Sequence, residues 1–129
     1  MGYAPRILVV DDEPGVQQLL EQLLADVGYY VTVAPNGRLA LAQVRSRDFD
    51  AVLIDLSLPD QDGMEVMRQI RSESPHTPIL ALSGFMVGDM PEIAIAAGAT
   101  GTLRKPSSPE TILTAVYGLI APRSTWAGK

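Results

Sequence analysis

Short apolar runs recur along the chain at Ile7–Val10, Tyr30–Val33, Ala51–Ile54 and Ile79–Leu82, with a weaker one at Gly101–Arg104. They are rich in β-branched residues and leucine and too short for independent helices. Such runs predict strands buried on both faces, as in a parallel sheet. Helical spacing fills the gaps between them. Val16, Leu19, Leu20, Leu23, Leu24 and Val27 share one face, with Pro14 suited to a first helical turn and Gly28 to a stop. Further helices are predicted over Arg38–Ser46, Met64–Glu73 and Pro91–Ala97. A last one starts near Ser108 and Pro109 and carries Ile112, Leu113, Val116, Leu119 and Ile120. Strand and helix therefore alternate five times, which implies an α/β fold with a parallel sheet and helices on both faces. Residues 121–129 show no periodicity, so the division expected is a domain over 1–122 and a tail or linker over 123–129.

Bulk properties narrow the function classes. A chain of 129 residues suits one domain with one core. It has no cysteine, which excludes disulfides and thiolate chemistry, and its one histidine, His76, lies in a polar loop and cannot build a His-rich metal site. A net charge of −5 makes a poor nucleic-acid binder, since phosphate contacts need clustered Lys and Arg. No apolar run approaches the length of a membrane span, and the start, MGYAPR, lacks an apolar signal core, so a cytoplasmic domain is expected.

The polar residues at the strand ends change the picture. In an open α/β sheet, ligands sit beyond the carboxyl ends of the strands. The first predicted strand runs into Asp11 and Asp12, the third into Asp55, the fourth into Ser83 and the fifth into Lys105. Three carboxylates that close disfavour one another's charge unless a cation is present. An all-oxygen set suits Mg2+ (or Mn2+), and Lys105 adds a fixed positive charge. Such a site can accept a phosphoryl group: metal and Lys105 take its oxygens, Ser83 donates a hydrogen bond, and one carboxylate attacks. Individually these residues have plainer uses. An Asp at a strand end is commonly a cap or turn residue, and Asp12 could serve the helix at Pro14 in that way. The methionines Met64, Met67, Met86 and Met90 read as packing. The coincidence of all five residues at matched strand ends favours the functional reading.

These residues resemble response-regulator receiver domains over about residues 6–120. The resemblance rests on Asp11-Asp12 after the first strand, on Asp55-Leu-Ser-Leu-Pro-Asp-Gln-Asp-Gly63, on Ser83, and on Gly98-Ala99 running into Leu103-Arg-Lys105-Pro106. It implies a doubly wound, flavodoxin-like (βα)5 sandwich with a five-stranded parallel sheet of order 2-1-3-4-5. It implies that Asp55 is the phosphoacceptor, that Asp11, Asp12, Asp55 and the backbone carbonyl of Ser57 hold the metal, that Ser83 is the switch hydroxyl, and that Lys105 binds the phosphoryl group. A cis bond between Lys105 and Pro106 is also implied. The implied partners are a sensor histidine kinase or histidine phosphotransfer domain and an output domain or effector, with a weak homodimer compatible and neither nucleic acid nor membrane engaged by this domain. The activity implied is signalling: the domain promotes its own phosphorylation and dephosphorylation.

The sequence departs from the family's pattern at three positions. Thr102 stands where many receivers carry an aromatic, three residues before the lysine; Gly84 follows the switch hydroxyl where alanine is common; and Phe85 comes next. The expected consequence is a switch carried by the loop Gly84–Met90, with Phe85 and Met86 changing exposure. Three other functions compete. A phosphohydrolase of the haloacid-dehalogenase type expects a second Asp two residues after its nucleophile, where this chain has Ser57. A nucleotide or flavin binder of flavodoxin type expects a glycine-rich phosphate loop and no triple carboxylate. A pseudo-receiver that only binds partners would not need all five site residues.

Overall fold

The computed structural model describes residues 4–127. Its elements are β1 (Arg6–Val10), α1 (Pro14–Asp26), β2 (Tyr30–Ala34), α2 (Gly37–Ser46), β3 (Ala51–Asp55), α3 (Gly63–Glu73), β4 (Ile79–Ser83), α4 (Met90–Ala97), β5 (Gly101–Arg104) and α5 (Pro109–Ala127). The five strands form one parallel sheet in the order β2-β1-β3-β4-β5. This is the doubly wound arrangement expected.

Alternation along the strands splits the core into two layers. Leu8, Val10, Val52, Ile54, Ile79 and Ala81 face α2, α3 and α4, where Val66, Met67 and Ile70 meet them. Ile7, Val9, Ala51, Leu53, Leu80 and Leu82 face α1 and α5, where Leu20, Leu24, Ile112 and Val116 close the other side. The strands β1, β3 and β4 are thus buried on both faces, which is why they read as unbroken apolar runs.

Three details differ from expectation. The edge strand β2 is exposed at Tyr30 and only partly buried over Val31, Thr32 and Val33, because it has a neighbour on one side alone. Of the apolar positions on α1, Leu20 and Leu24 are buried, whereas Leu19 and Val27 are more than half exposed. They lie at the margin of the stripe, where spacing alone does not decide burial. The aperiodic stretch after Ile120 is not a loose tail in its first part: α5 continues to Ala127, so the expected boundary at 122 falls inside a helix. Helix propagation needs one backbone bond per added residue and no apolar stripe, so periodicity is silent about it. Residues 128 and 129 lie outside the described residues. Among the described residues no helix is long and apolar enough to cross a membrane.

The end of the sheet away from the acidic residues is fastened by Arg71, in the last turn of α3. Its guanidinium donates to the carbonyls of Ser74, Pro75 and Thr77 in the loop before β4, the last at 2.6 Å. It also donates from Nε and Nη2 to the carbonyl of Gly98, at 3.1 and 2.7 Å. Gly98 has φ +128, and a Cβ there would come within 3.1 Å of the Arg71 side chain. One planar fork therefore ties the carboxyl ends of α3 and α4 together, with its charge suitably placed for both helix dipoles. Burial lowers the Arg71 pKa from its ordinary value, and the group still remains protonated at any ordinary pH. Replacing Arg71 with Met is expected to lose about 2–4 kcal/mol, because several carbonyls lose a charged donor at once. Arg71→Lys should recover less than half of that, since an ammonium cannot span both loops. Urea denaturation checks this; an unchanged midpoint in Arg71→Met would refute it.

Candidate functional site

Asp11 follows β1 and is almost fully buried. Its N–H donates to the Ala34 carbonyl, its carbonyl accepts from Gln17 Nε2 at 2.6 Å, and its Oδ1 accepts from the Glu13 N–H at 3.0 Å. The turn-residue role expected for Asp12 therefore falls to Asp11, while Asp12 stays exposed and α1 has no side-chain cap. The reason is reach: a carboxylate accepts readily from the N–H two residues on, which from Asp11 is that of Glu13.

Asp55 is the last residue of β3 and is 4% exposed. Its Oδ1 accepts from the Ser57 N–H at 2.9 Å and its Oδ2 from Lys105 Nζ at 3.1 Å. Lys105 also donates to Asp11 Oδ2 at 3.2 Å and lies 3.8 Å from Glu13 Oε1. Its backbone N–H is fixed on the Ser83 carbonyl at 2.9 Å, and the Lys105–Pro106 bond is cis, as expected. Burial pulls the Lys105 pKa down, but the hydrogen bond to Asp55 and the charges of Asp11 and Asp55 outweigh it, so the net direction is upward. Lys105 is a settled cation at neutral pH.

Asp11, Asp12 and Asp55 each offer a carboxylate oxygen within 4.8 Å of the others. Lys105 pairs with Asp11 and Asp55 but not with Asp12, and the exposed Glu13 lies beside it as well, so one ammonium leaves an excess of negative charge that a divalent cation would offset. The all-oxygen donor set fits a hard cation that keeps part of its water. Ser83 ends the neighbouring strand at the same edge and is buried, with its Oγ accepting from the Phe85 N–H at 3.0 Å. Ser57 is exposed and tied to Asp55 through its N–H.

The loop after Asp55 is tightly built. Ser57 bridges to Asp62, and Asp62 caps α3 by accepting from the Met64 N–H. At Gly63 a Cβ would fall on the Leu56 backbone, so only glycine allows the loop to close there. Glu13 and Gln17 escaped the sequence reading, and Asp60 and Asp62 entered it only as members of the Asp55–Gly63 motif, with no role assigned. Asp62 alone had a usable signal, an Asp three residues before Glu65 at a helix start.

This is a doubly wound sheet with a cluster of carboxylates and a lysine at its carboxyl edge. The family model of the response regulator receiver domain matches residues 7–117, and the chain belongs to that family. It is 39% identical over 115 residues to the response regulator MprA of Mycolicibacterium vanbaalenii, covering 89% of this chain and 50% of that protein. The chain spans about half the length, or less, of the curated relatives it matches. The chemotaxis response regulator CheY4 of Vibrio cholerae is similar in structure, with 34% identity, a TM-score of 0.86, and coverage of 91% of this chain and 99% of that one. The receiver domain of the sensor histidine kinase PA1611 from Pseudomonas aeruginosa matches at 31% identity and a TM-score of 0.84, over 92% of this chain and 99% of that one. That structure has a magnesium ion coordinated in its active-site cleft.

Lys105→Met should lower the stability of the metal-free protein by about 1–3 kcal/mol, below the value for a fully buried pair because Lys105 is a quarter exposed. Mg2+ should then stabilise the variant more than the parent, by relieving the same repulsion. Thermal unfolding with and without Mg2+ reads both effects; equal Mg2+ stabilisation of the two proteins would contradict the charge balance described.

Proposed function

We propose that this receiver domain takes a phosphoryl group from a phosphohistidine onto Asp55 and that the phosphorylated form alters partner binding. The observation that carries this is the double hold on Asp55, by the Ser57 N–H on one oxygen and by Lys105 on the other, beside two further carboxylates. A Mg2+ or Mn2+ ion held by Asp11, Asp12, Asp55 and the Ser57 carbonyl would neutralise charge on the transferring phosphoryl oxygens. The Asp55 carboxylate oxygen attacks phosphorus, the bond from phosphorus to the histidine nitrogen breaks, and an aspartyl phosphate results. Lys105 is placed to pass its hydrogen bond from Asp55 to a phosphoryl oxygen, and the Ser83 hydroxyl to donate to another. Attack of water on the aspartyl phosphate returns the carboxylate, so the domain promotes both its charging and its reset. The donor is a sensor histidine kinase or a histidine phosphotransfer domain, and the reader is an output domain or a separate effector, all in the cytoplasm. The phosphohydrolase alternative is not favoured, because Ser57 occupies the position of its acid-base residue and a serine hydroxyl cannot replace a carboxyl group there.

Acetyl phosphate with Mg2+ should add one phosphoryl group to the chain, seen by intact-protein mass spectrometry. Asp55→Asn should abolish it. The same gain at the same rate in that variant would remove Asp55 as the acceptor.

The switch follows from the hydrogen bond between Ser83 and Phe85. As the Ser83 hydroxyl turns toward a phosphoryl oxygen, the Phe85 N–H loses its acceptor. Thr102 pairs with Ala81 in the sheet and is a short, β-branched side chain, too small to act as a swinging lever. Phe85 is 74% exposed while Met86 is buried, so Phe85 is the residue that a partner can read. Beryllofluoride, which mimics the aspartyl phosphate, should therefore shift the amide resonances of Gly84–Met90 most. Phe85→Ala should weaken the partner without slowing phosphorylation. Shifts confined to residues 102–120 would overturn this switch.

A further inference from the structure

We infer that Asp60 is a positioning residue for the metal-binding edge: its carboxylate fastens the loop after Asp55 to the amino end of α2 and so fixes where Ser57 presents its backbone. The inference rests on the proposed cation site at Asp55. Asp60 Oδ1 accepts from the Gly37 N–H at 2.9 Å and Oδ2 from the Arg38 N–H at 3.1 Å. Both are charge-assisted bonds to a helix start, where a carboxylate is favoured.

Three observations separate this from an ordinary helix cap. First, α2 already has its own cap, since Asn36 accepts from the Leu39 N–H at 2.9 Å. Asp60 takes the two remaining amides from a distant loop. Second, α2 starts close against α3 and the loop together. A Cβ on Gly37 would come within 2.6 Å of Val66 on α3 and 2.7 Å of the Gln61 side chain in the loop. Third, the loop's other polar fastenings do not reach α2: the Leu56 N–H donates to the Leu82 carbonyl of β4 at 3.0 Å, and Leu56 and Leu58 pack on the core. The Ser57–Asp62 bridge and the approach of Gly63 to Leu56 close the loop on itself. Asp60 is the side chain that ties the closed loop to α2. The bond from the Gly37 N–H above all, and that from Arg38, lower the Asp60 pKa from its ordinary value.

The test uses the full chain with Mg2+ as the probe. Calorimetry gives the Mg2+ affinity, and acetyl phosphate gives the phosphorylation rate against Mg2+ concentration. Asp60→Ala should weaken Mg2+ about threefold to tenfold, somewhat less than loss of a group bonded directly to a metal ligand. Its phosphorylation deficit should shrink as Mg2+ rises, the signature of a binding defect. Asp60→Asn, which keeps one acceptor oxygen, should fall between, and serves if the alanine variant folds poorly. Asn36→Ala removes the cap of α2 but leaves the tie, so it should lower stability with the Mg2+ affinity unchanged. Unchanged affinity in Asp60→Ala, or an equal loss in Asn36→Ala, would overturn the inference. A parent chain that binds no Mg2+ would overturn the underlying reading and this inference with it.

Discussion

The parallel direction of the strands is the constraint from which the rest follows. Because β1, β3, β4 and β5 all run the same way, their carboxyl ends share one edge, and the residues that follow them are delivered there together. Asp11, Asp55, Ser83 and Lys105 are far apart in sequence and need no long-range motif to meet. The register sets the depth as well: Val10 pairs with Ile54, Asp55 with Leu82, and Ser83 with Arg104, so each strand stops within about a residue of its neighbours. A slip of one residue would turn every apolar side chain to the wrong layer, so the two-layer core enforces the register that builds the site.

Concentrating acid at this edge costs stability, and the fold limits that cost locally. Lys105 lies between Asp11 and Asp55, and the backbone amides of Glu13 and Ser57 each take one more carboxylate oxygen. Asp12, the exposed member of the cluster, keeps its share of water instead. The balance remains incomplete by design of charge: one ammonium cannot neutralise three carboxylates. That shortfall is what suits the edge to a hard divalent cation, and the ammonium of Lys105 is what suits it to an anion as well.

The strands, their order of appearance and the strand-end residues were legible because parallel burial writes itself as unbroken apolar runs, with polar residues where the runs stop. Helix starts shifted by a residue or so, as at Gly37 and Gly63, because capping depends on local backbone geometry that spacing does not encode. The strand order itself came from family resemblance, since alternation of strands and helices fits several orders. The ties made by Arg71 and Asp60 were invisible for a different reason. Both act on backbone carbonyls or amides, Arg71 on the nearby loop as well as on Gly98 and Asp60 on the distant start of α2, and a backbone partner leaves no mark on the sequence. Leu19 and Val27 show the converse limit: apolar residues at helical spacing can still face solvent at the edge of a stripe.

The two loops that flank the acceptor edge are built with opposite stiffness. After β3, the chain is closed on itself at Ser57–Asp62, pinned by the glycine-only approach at Gly63, and tied outward by Asp60. After β4, a Cβ at Gly84 would meet nothing within 4 Å, Gly88 turns at φ +59, and Phe85 and Val87 project into solvent on either side of the buried Met86. Cation coordination tolerates little displacement of its ligands, whereas a signal needs a surface that can change. The loop beside the carboxylate cluster is the closely fastened one, and the loop beside the Ser83 hydroxyl has the more exposed apolar side chains, so one edge of the sheet has the build that the proposed function asks of it. The hydrogen bond from the Phe85 N–H to the Ser83 hydroxyl links that second loop directly to the polar edge of the sheet.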